Sequence, residues 1–343
     1  MNEEKIRKVL EDIDNYEQSV NASLTFIHIY KWDDKKNEPI GEVLYWIGKE
    51  FKPGDVTPDI AIQLTDDRGL ILELKESLPK NNSEDNDYWK EKFDNIKKYD
   101  AQLEGWHTKN SKVNQQELVL LVDQKLSRKV VDYIQSNNLL FDTFSKNFGV
   151  IQYSPATGLK NGVLLRIEHG KLDDFRDVTN KRLWEGITVA LEYLFSSGLS
   201  KIKFLDYRPN PVYIMSILWD HVFNATLTEE DWRNSKMEGG KRIIEIAVTI
   251  PNIREFLVNN FSDKNSKHGI KEKWVEEALE NFVRLKLAKR AKVTGEYIIK
   301  YRKKIADETP DTNKHKVFAE LLYKSGVQIT LENFKKKHDD KNA

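Results

Sequence analysis

Residues Pro58–Ser77 read PDIAIQLTDDRGLILELKES and contain the clearest local fold signal in the chain. Two short apolar runs flank a polar, glycine-ended break at residues 65–69, which is the pattern of a β-hairpin. Because side chains alternate between the faces of a strand, Glu73 and Lys75 share one face of the return strand. The segment therefore predicts a hairpin with largely apolar strands that carry Asp59 on the first strand and Glu73 and Lys75 on the second.

The length of the turn sets the predicted register of this hairpin. If residues 65–69 form the loop, Ala61 lies opposite Glu73 and Asp59 lies opposite Lys75. Asp59 and Glu73 are then diagonal neighbours on one side of the sheet. In that register, their carboxylates are within reach of a shared ion.

The charged residues also form a sequence motif. Pro58-Asp59 followed by Glu73-Leu74-Lys75 resembles the signature of the PD-(D/E)XK nuclease superfamily. The resemblance covers roughly the first 170 residues of the chain. It implies the restriction-endonuclease-like fold and the hydrolysis of phosphodiester bonds.

That chemistry assigns roles to the hairpin residues. Phosphodiester hydrolysis needs a hard divalent cation, and Mg²⁺ suits it because it takes oxygen ligands while keeping several waters. The resemblance implies that Asp59 and Glu73 hold Mg²⁺, or Mn²⁺ in its place, with the Leu74 carbonyl as a further ligand. Lys75 then orients the attacking water or stabilises the transition state. The alternative interpretation is a solvated hairpin face that carries an aspartate and a Glu–Lys pair.

The resemblance also implies another acidic residue, on a helix that precedes the hairpin. The candidates are Glu42 and Glu50, both on a helix predicted over about residues 39–52. The position usual in the superfamily favours Glu42, which we select, whereas burial geometry favours Glu50, and solvation of either is an equal alternative. Tyr99 is interpreted mainly as a core residue, although some family members place a tyrosine near the site.

Composition limits the class of protein. A chain of 343 residues is long enough for two domains. It has 55 basic and 55 acidic residues, so a DNA-binding face requires local segregation of charge. Cysteine is absent and the seven histidines are scattered, which argues against zinc sites. With no secretory segment and no apolar run near ~18 residues, we expect a cytoplasmic protein without membrane contact.

Apolar periodicity in the first part of the chain indicates alternating helices and strands. The order fits an α/β fold in which a central mixed sheet is flanked by helices, assigned to a nuclease domain at residues 1–168. Besides the hairpin and the helix at 39–52, the predicted elements are helices at 3–17, 88–106 and 128–135 and strands at 23–30, 117–123, 150–153 and 163–167.

The remainder, residues 169–343, is predicted to be a mainly helical domain. Residues 243–250 are compatible with either a strand or a helix. A helix at 271–286 precedes two short β-runs joined by a turn at 292–295, which is the order of a winged-helix module. The other predicted helices are at 181–195, 211–224 and 252–261.

A basic run coincides with this winged-helix-like module. Residues 284–304 contain nine lysines and arginines against one acid, Glu296. Because such modules contact DNA through the helix end and the hairpin, the run predicts nucleic-acid contacts by Lys289, Arg290 and Lys292. The alternative is a solvated basic face.

Taken together, these features predict a Mg²⁺-dependent DNA endonuclease of the restriction, phage-defence or transposon-excision type. Its expected partner is double-stranded DNA. The sequence has no P-loop or helicase motif, so any ATPase or recognition subunit is a separate chain, and oligomerisation is left open. The alternatives are a catalytically inactive DNA-binding or assembly subunit that keeps the nuclease fold, and an RNase.

Overall fold

The computed structural model divides into two compact units. The first, called the sheet unit, comprises Asn15–Tyr207 and Val258–Gly269, and the second comprises Met1–Asp14, Arg208–Leu257 and Ile270–Ala343. The structure describes residues 2–33, 36, 38–39, 43–53, 56–65, 67–75, 85–137, 145–156, 162–172, 177–238, 240–263, 269–293, 295–302 and 314–325.

The chain begins with a single long helix, α1 (Asn2–Lys31). The helix predicted at 3–17 is confirmed, but the strand predicted at 23–30 is wrong because the helix continues through it. Residues 22–30 are all buried. A helix that is covered on every side lacks a polar face, so its β-branched and aromatic residues resemble a strand in sequence.

Short strands follow, where a second helix was predicted. β1 (Trp32–Asp33) pairs with β2 (Glu38–Pro39), and β3 (Leu44–Ile47) pairs antiparallel with β4 (Ile60–Gln63). The helix at 39–52 is therefore wrong. Trp46 and Ile47 are adjacent and both buried, so the strand packs on both faces and does not alternate between apolar and polar residues.

The hairpin itself is confirmed: β4 pairs antiparallel with β5 (Arg68–Lys75). Its register differs from the prediction, since Ala61 lies opposite Ile71 and not Glu73. The same shift means that Asp59 does not lie opposite Lys75, as the prediction had it. The shift is by two positions and therefore keeps every side chain on its predicted face.

Gly69 explains the shift. It pairs with Gln63 inside the strand instead of ending the turn. The Trp106 ring covers Gly69 so closely that a Cβ atom there would lie 2.5 Å from the ring. A glycine within a strand often marks such a close approach, and here it allows β5 to begin at Arg68.

Seven strands form one mixed sheet in the order β3-β4-β5-β6-β7-β8-β9. The pairs β5–β6 and β6–β7 are parallel and the others antiparallel, which confirms a mixed sheet with flanking helices. The remaining elements are α2 (Asp85–Lys97), β6 (Gln115–Asp123), α3 (Gln124–Asn137), β7 (Phe148–Pro155), β8 (Gly162–Gly170), α4 (Asp177–Glu185) and β9 (Ile187–Ala190).

Helices α2 and α3 contribute to the core on one face of this sheet. The rings of Phe93 and Tyr133 stack with centroids 5.4 Å apart. The helix predicted at 88–106 ends early, because the buried Gln116 amide donates to the carbonyls of Tyr99 and Ala101 and stabilises an irregular segment. A 3₁₀ turn, Lys98–Asp100, closes the helix.

The sheet continues beyond the predicted nuclease domain. The junction predicted at 168/169 lies inside β8, and β9 extends the same sheet. The helix predicted at 181–195 is replaced by the end of α4, by β9 and by the 3₁₀ turn Leu191–Phe195.

The second unit contains a four-stranded antiparallel sheet in the order β10-β11-β13-β12. Residues 243–250, for which the sequence allowed either a strand or a helix, lie almost entirely in β11. The predicted order of a helix followed by a hairpin near residues 271–301 is confirmed. The elements of this unit are α5 (Pro211–Ile217) with a π-helical continuation (Leu218–Phe223), α6 (Glu229–Arg233), β10 (Lys236–Glu238), β11 (Lys241–Thr249), the part of α7 (Ile250–Phe261) up to Leu257, α8 (Glu272–Arg284), β12 (Ala288–Arg290), β13 (Glu296–Tyr301) and α9 (Lys314–Lys324).

A cluster of aromatic side chains forms the core of the second unit. Trp219 is fully buried and contacts the rings of Phe282, Tyr301 and Phe318, at centroid distances of 5.5, 5.0 and 5.8 Å. Within the described ranges of both units, none of the helices combines the length and the apolar character needed to cross a lipid bilayer.

Candidate active site

The hairpin holds Asp59 through its neighbours on both sides. Asp59 lies just before β4, and its Oδ2 accepts a 2.6 Å hydrogen bond from the backbone N–H of Leu74 on β5. Its backbone carbonyl accepts a 3.0 Å hydrogen bond from Gly48, at the end of β3. Because Leu74 follows Glu73 directly, the first bond fixes the Asp59 carboxylate beside Glu73.

Glu73 is bonded through both of its carboxylate oxygens. Oε1 accepts a 2.6 Å hydrogen bond from the Tyr99 hydroxyl, and Oε2 accepts a 3.1 Å bond from Lys75 Nζ. The side chains of Glu73 and Lys75 are each 15% exposed, so this ion pair is only partly screened by water. The two donors fix the orientation of the Glu73 carboxylate.

Tyr99 contacts the site directly, although the sequence indicated mainly a core residue. It lies in the 3₁₀ turn after α2, with its ring buried and its hydroxyl on Glu73. The signal available in the sequence was its place near the end of the helix that follows the hairpin.

The electrostatics of the site reflect its enclosure. Burial, and after it the negative charge of Glu73, raise the pKa of the Asp59 carboxyl to about 7, although Lys75 and the Leu74 N–H oppose the shift. Burial likewise raises the pKa of the Tyr99 phenol, and Glu73 adds to this through its charge and its hydrogen bond. Two adjacent, poorly hydrated carboxylates are costly to ionise together unless a cation offsets their repulsion.

The donor chemistry of the pair fits a hard divalent ion. Mg²⁺ is commonly bound by one or two carboxylates, with water and substrate phosphate completing its ligands. Asp59 and Glu73 supply that number of carboxylates. Among the residues with described positions, there is no group of three or more His, Cys, Asp or Glu side chains arranged to hold a metal. The predicted role of the Leu74 carbonyl stays a prediction.

Of the two acidic residues predicted as candidates on a helix before the hairpin, the structure describes only Glu50. Glu42 lies outside the described residues, so its role stays a prediction. Glu50 is exposed and follows β3. In the described part of residues 39–52, strands replace the helix that was the basis for both candidates.

Asp206 is an acidic residue near this site that sequence reasoning missed. Its charge contributes to the raised pKa of both Asp59 and Tyr99. It is 147 positions beyond Asp59 in a segment with no recognised motif. The available signal was an aspartate directly after two apolar residues, Phe204 and Leu205.

The basic run has acidic partners within the second unit. Lys289 Nζ lies 2.9 Å from Glu245 Oε1, and Arg290 Nη2 lies 2.9 Å from Glu280 Oε2. Lys292 is exposed at the hairpin turn. The count along the sequence omitted these acids because they come from β11 and α8. The predicted nucleic-acid contacts of the three cations stay predictions.

The sheet unit thus joins Asp59, Glu73, Lys75 and Tyr99 in one connected group. This group combines two oxygen ligands, one ammonium and one phenol, which suits the binding of a divalent ion and of an anionic substrate. No protein-family model, curated protein or solved structure matches the chain.

Proposed function

We propose that this chain is a divalent-metal-dependent nuclease of the PD-(D/E)XK type that hydrolyses phosphodiester bonds in double-stranded DNA. The observation that carries the proposal is the hydrogen bond from Leu74 N–H to Asp59 Oδ2, which sets the motif's two carboxylates side by side. The sheet order supports it as well. Three antiparallel strands are followed by two parallel ones reached through helices, an arrangement compatible with the restriction-endonuclease-like fold.

Asp59 and Glu73 are the residues that would hold the ion. When bound, a divalent cation generates a hydroxide nucleophile and neutralises charge on the phosphate oxygens. The raised pKa of Asp59 supports this role. Ionising a buried carboxyl beside Glu73 is costly, and a bound cation would offset that cost. Tyr99 and Lys75 orient Glu73 in advance, which reduces the rearrangement needed to bind an ion.

Lys75 is the residue assigned to the transition state. Its ammonium group shares a sheet face with Glu73 and is shielded from most solvent. A cation in such a position stabilises the negative charge that develops on the phosphate during hydrolysis. It also orients the attacking water by donating a hydrogen bond to it.

The second unit supports a DNA-binding role. Helix α5, strand β11, helices α7 and α8 and the hairpin β12–β13 occur in the order of a winged helix, with β11 next to β13. The hairpin presents Lys292 to solvent, and Lys289 and Arg290 flank it. Exposed ion pairs such as theirs are weak, so DNA phosphates can compete with Glu245 and Glu280 for these cations.

The test is cleavage of a substrate panel by purified protein. Supercoiled plasmid, linear duplex, single-stranded DNA and RNA are each incubated with Mg²⁺, Mn²⁺ or EDTA. We expect metal-dependent cleavage of duplex DNA that is lost in Asp59→Asn and in Glu73→Gln, while the exposed-residue variant Asp132→Asn retains it. DNA binding without cleavage under any condition would support the inactive-subunit alternative, and cleavage of RNA alone would support an RNase.

A further inference from the structure

The backbone around Asp206 is held in place by helix α1. The backbone N–H of Leu205 donates a 3.0 Å hydrogen bond to the Tyr16 hydroxyl. On the other side of Asp206, the Tyr207 ring packs edge-on against the Tyr16 ring, with centroids 5.2 Å apart. Both neighbours of Asp206 are therefore attached to one α1 side chain, and Leu205 is itself buried. This anchoring restricts where the Asp206 carboxylate can lie.

That carboxylate lies directly over Gly48. A Cβ atom at Gly48 would lie 2.5 Å from both Cγ and Oδ1 of Asp206, and the φ of Gly48 is +62°. Both the backbone conformation and the space therefore favour glycine. Because the Gly48 N–H donates to the backbone carbonyl of Asp59, Asp206 approaches a residue that is hydrogen-bonded to the backbone of the first motif aspartate.

The charge of Asp206 acts on two members of the site. It contributes to raising the pKa of Asp59, and it contributes to raising the pKa of Tyr99, the hydroxyl donor to Glu73. Coulomb interactions weaken with distance, so these two small contributions agree with a position of Asp206 on the side of the site occupied by Asp59 and Tyr99. This agrees with its position over Gly48.

We propose that Asp206 is a positioning residue of the divalent-ion site, which accepts a hydrogen bond from an ion-bound water and adds a third negative charge. This inference rests on the proposed function. Mg²⁺ keeps several waters when one or two carboxylates bind it directly, and Asp59 and Glu73 already supply two. Residues that hydrogen-bond the ion's ligands typically change metal affinity by about 10–100-fold when they are mutated.

The experiment measures ion affinity in the absence of nucleic acid. Mn²⁺ is titrated into the full-length protein, and free Mn²⁺ is followed by electron paramagnetic resonance. The variants are Asp206→Asn, which keeps shape and removes charge, and Asp132→Asn, which removes an exposed carboxylate on α3. We expect the Mn²⁺ dissociation constant to rise about 10–100-fold in Asp206→Asn and to stay at the wild-type value in Asp132→Asn.

Gly48→Ala provides a second, independent variant in case Asp206→Asn does not fold. It keeps every carboxylate, but its Cβ occupies the space of the Asp206 carboxyl group, so Mn²⁺ binding should weaken in the same direction. Wild-type affinity in either folded variant overturns the role of Asp206 and leaves the proposed nuclease intact. A wild-type protein that binds no Mn²⁺ overturns the proposed ion site, and this inference with it.

Discussion

The hydroxyl of Tyr99 donates a 2.6 Å hydrogen bond to Oε1 of Glu73. This bond joins the turn after α2 to β5, the second strand of the hairpin. It also accounts for one of the two donors that hold the Glu73 carboxylate. Removing it tests whether the orientation of Glu73 matters for catalysis.

Tyr99→Phe should keep the ring in the core while deleting only this donor. We expect single-turnover cleavage of duplex DNA at saturating Mg²⁺ to slow by about 10-fold, because Glu73 then rotates more freely. Tyr193→Phe is the matched control, since Tyr193 is 49% exposed. Equal rates in wild type and Tyr99→Phe would show that Lys75 alone orients Glu73.

Lys75→Ala should separate metal binding from catalysis. Both carboxylates remain, so Mn²⁺ binding should persist, whereas cleavage should slow by about 10²–10³-fold through loss of transition-state stabilisation. Lys98→Ala, which removes an exposed lysine, serves as the control. Unimpaired cleavage by Lys75→Ala would show that this ammonium group has no catalytic role.

Asp59→Asn should make the metal-free protein more stable at neutral pH. The pKa of Asp59 is about 7 in the folded state, against an ordinary aspartate value of 3.8 in the unfolded chain. The folded state therefore loses this proton at a higher pH than the unfolded state does. The wild-type free energy of unfolding therefore falls, relative to the variant, as pH rises from about 4 to about 7. Above about pH 8 the difference is constant, on the order of 4 kcal/mol.

Urea unfolding in EDTA at several pH values measures this difference. Adding Mg²⁺ should reverse the order of stability near neutral pH, because only wild type has both carboxylates to bind the ion. A gap between wild type and Asp59→Asn that does not change with pH would contradict the predicted ionisation.

The basic residues of the β12–β13 hairpin are tested by the salt dependence of duplex binding. Replacing Lys289, Arg290 and Lys292 together by Ala should weaken duplex binding for all sequences and flatten the slope of log affinity against log salt by up to ~3. Lys292→Ala alone should lower the slope by ~1. Cleavage at saturating DNA should stay near normal, since the carboxylate pair is unchanged. Unaltered slopes would assign this surface to solvent or to a protein partner.

Local patterns were sufficient for much of the sheet. The hairpin, the buried strand β6 and helix α3 are confirmed because each has an uninterrupted pattern of its own. The register of the hairpin was beyond local reasoning, since it depends on the packing of Trp106 against Gly69. Helix α1 was divided in the prediction because a helix buried all round loses its amphipathic period.

The candidate site was predictable only where its residues lie close together in the chain. Asp59, Glu73 and Lys75 fall in one hairpin, so their alternation alone placed them on one face. Asp206 comes from a distant segment, and its approach to Gly48 depends on the anchoring of residues 205 and 207 to Tyr16. Contacts of this kind exist only after the chain has folded.

The hydrogen bonds that hold the carboxylate pair also affect which ion it can prefer. Asp59 accepts the Leu74 N–H through Oδ2, and Glu73 accepts one donor on each oxygen. Carboxylates engaged in this way bind an ion more readily through one oxygen than through two. Ca²⁺ takes about six to eight oxygen ligands, often from bidentate carboxylates, whereas the smaller Mg²⁺ fills much of its octahedron with water. The contacts that fix these side chains therefore also select by ionic radius, and calcium should be a poor substitute for magnesium.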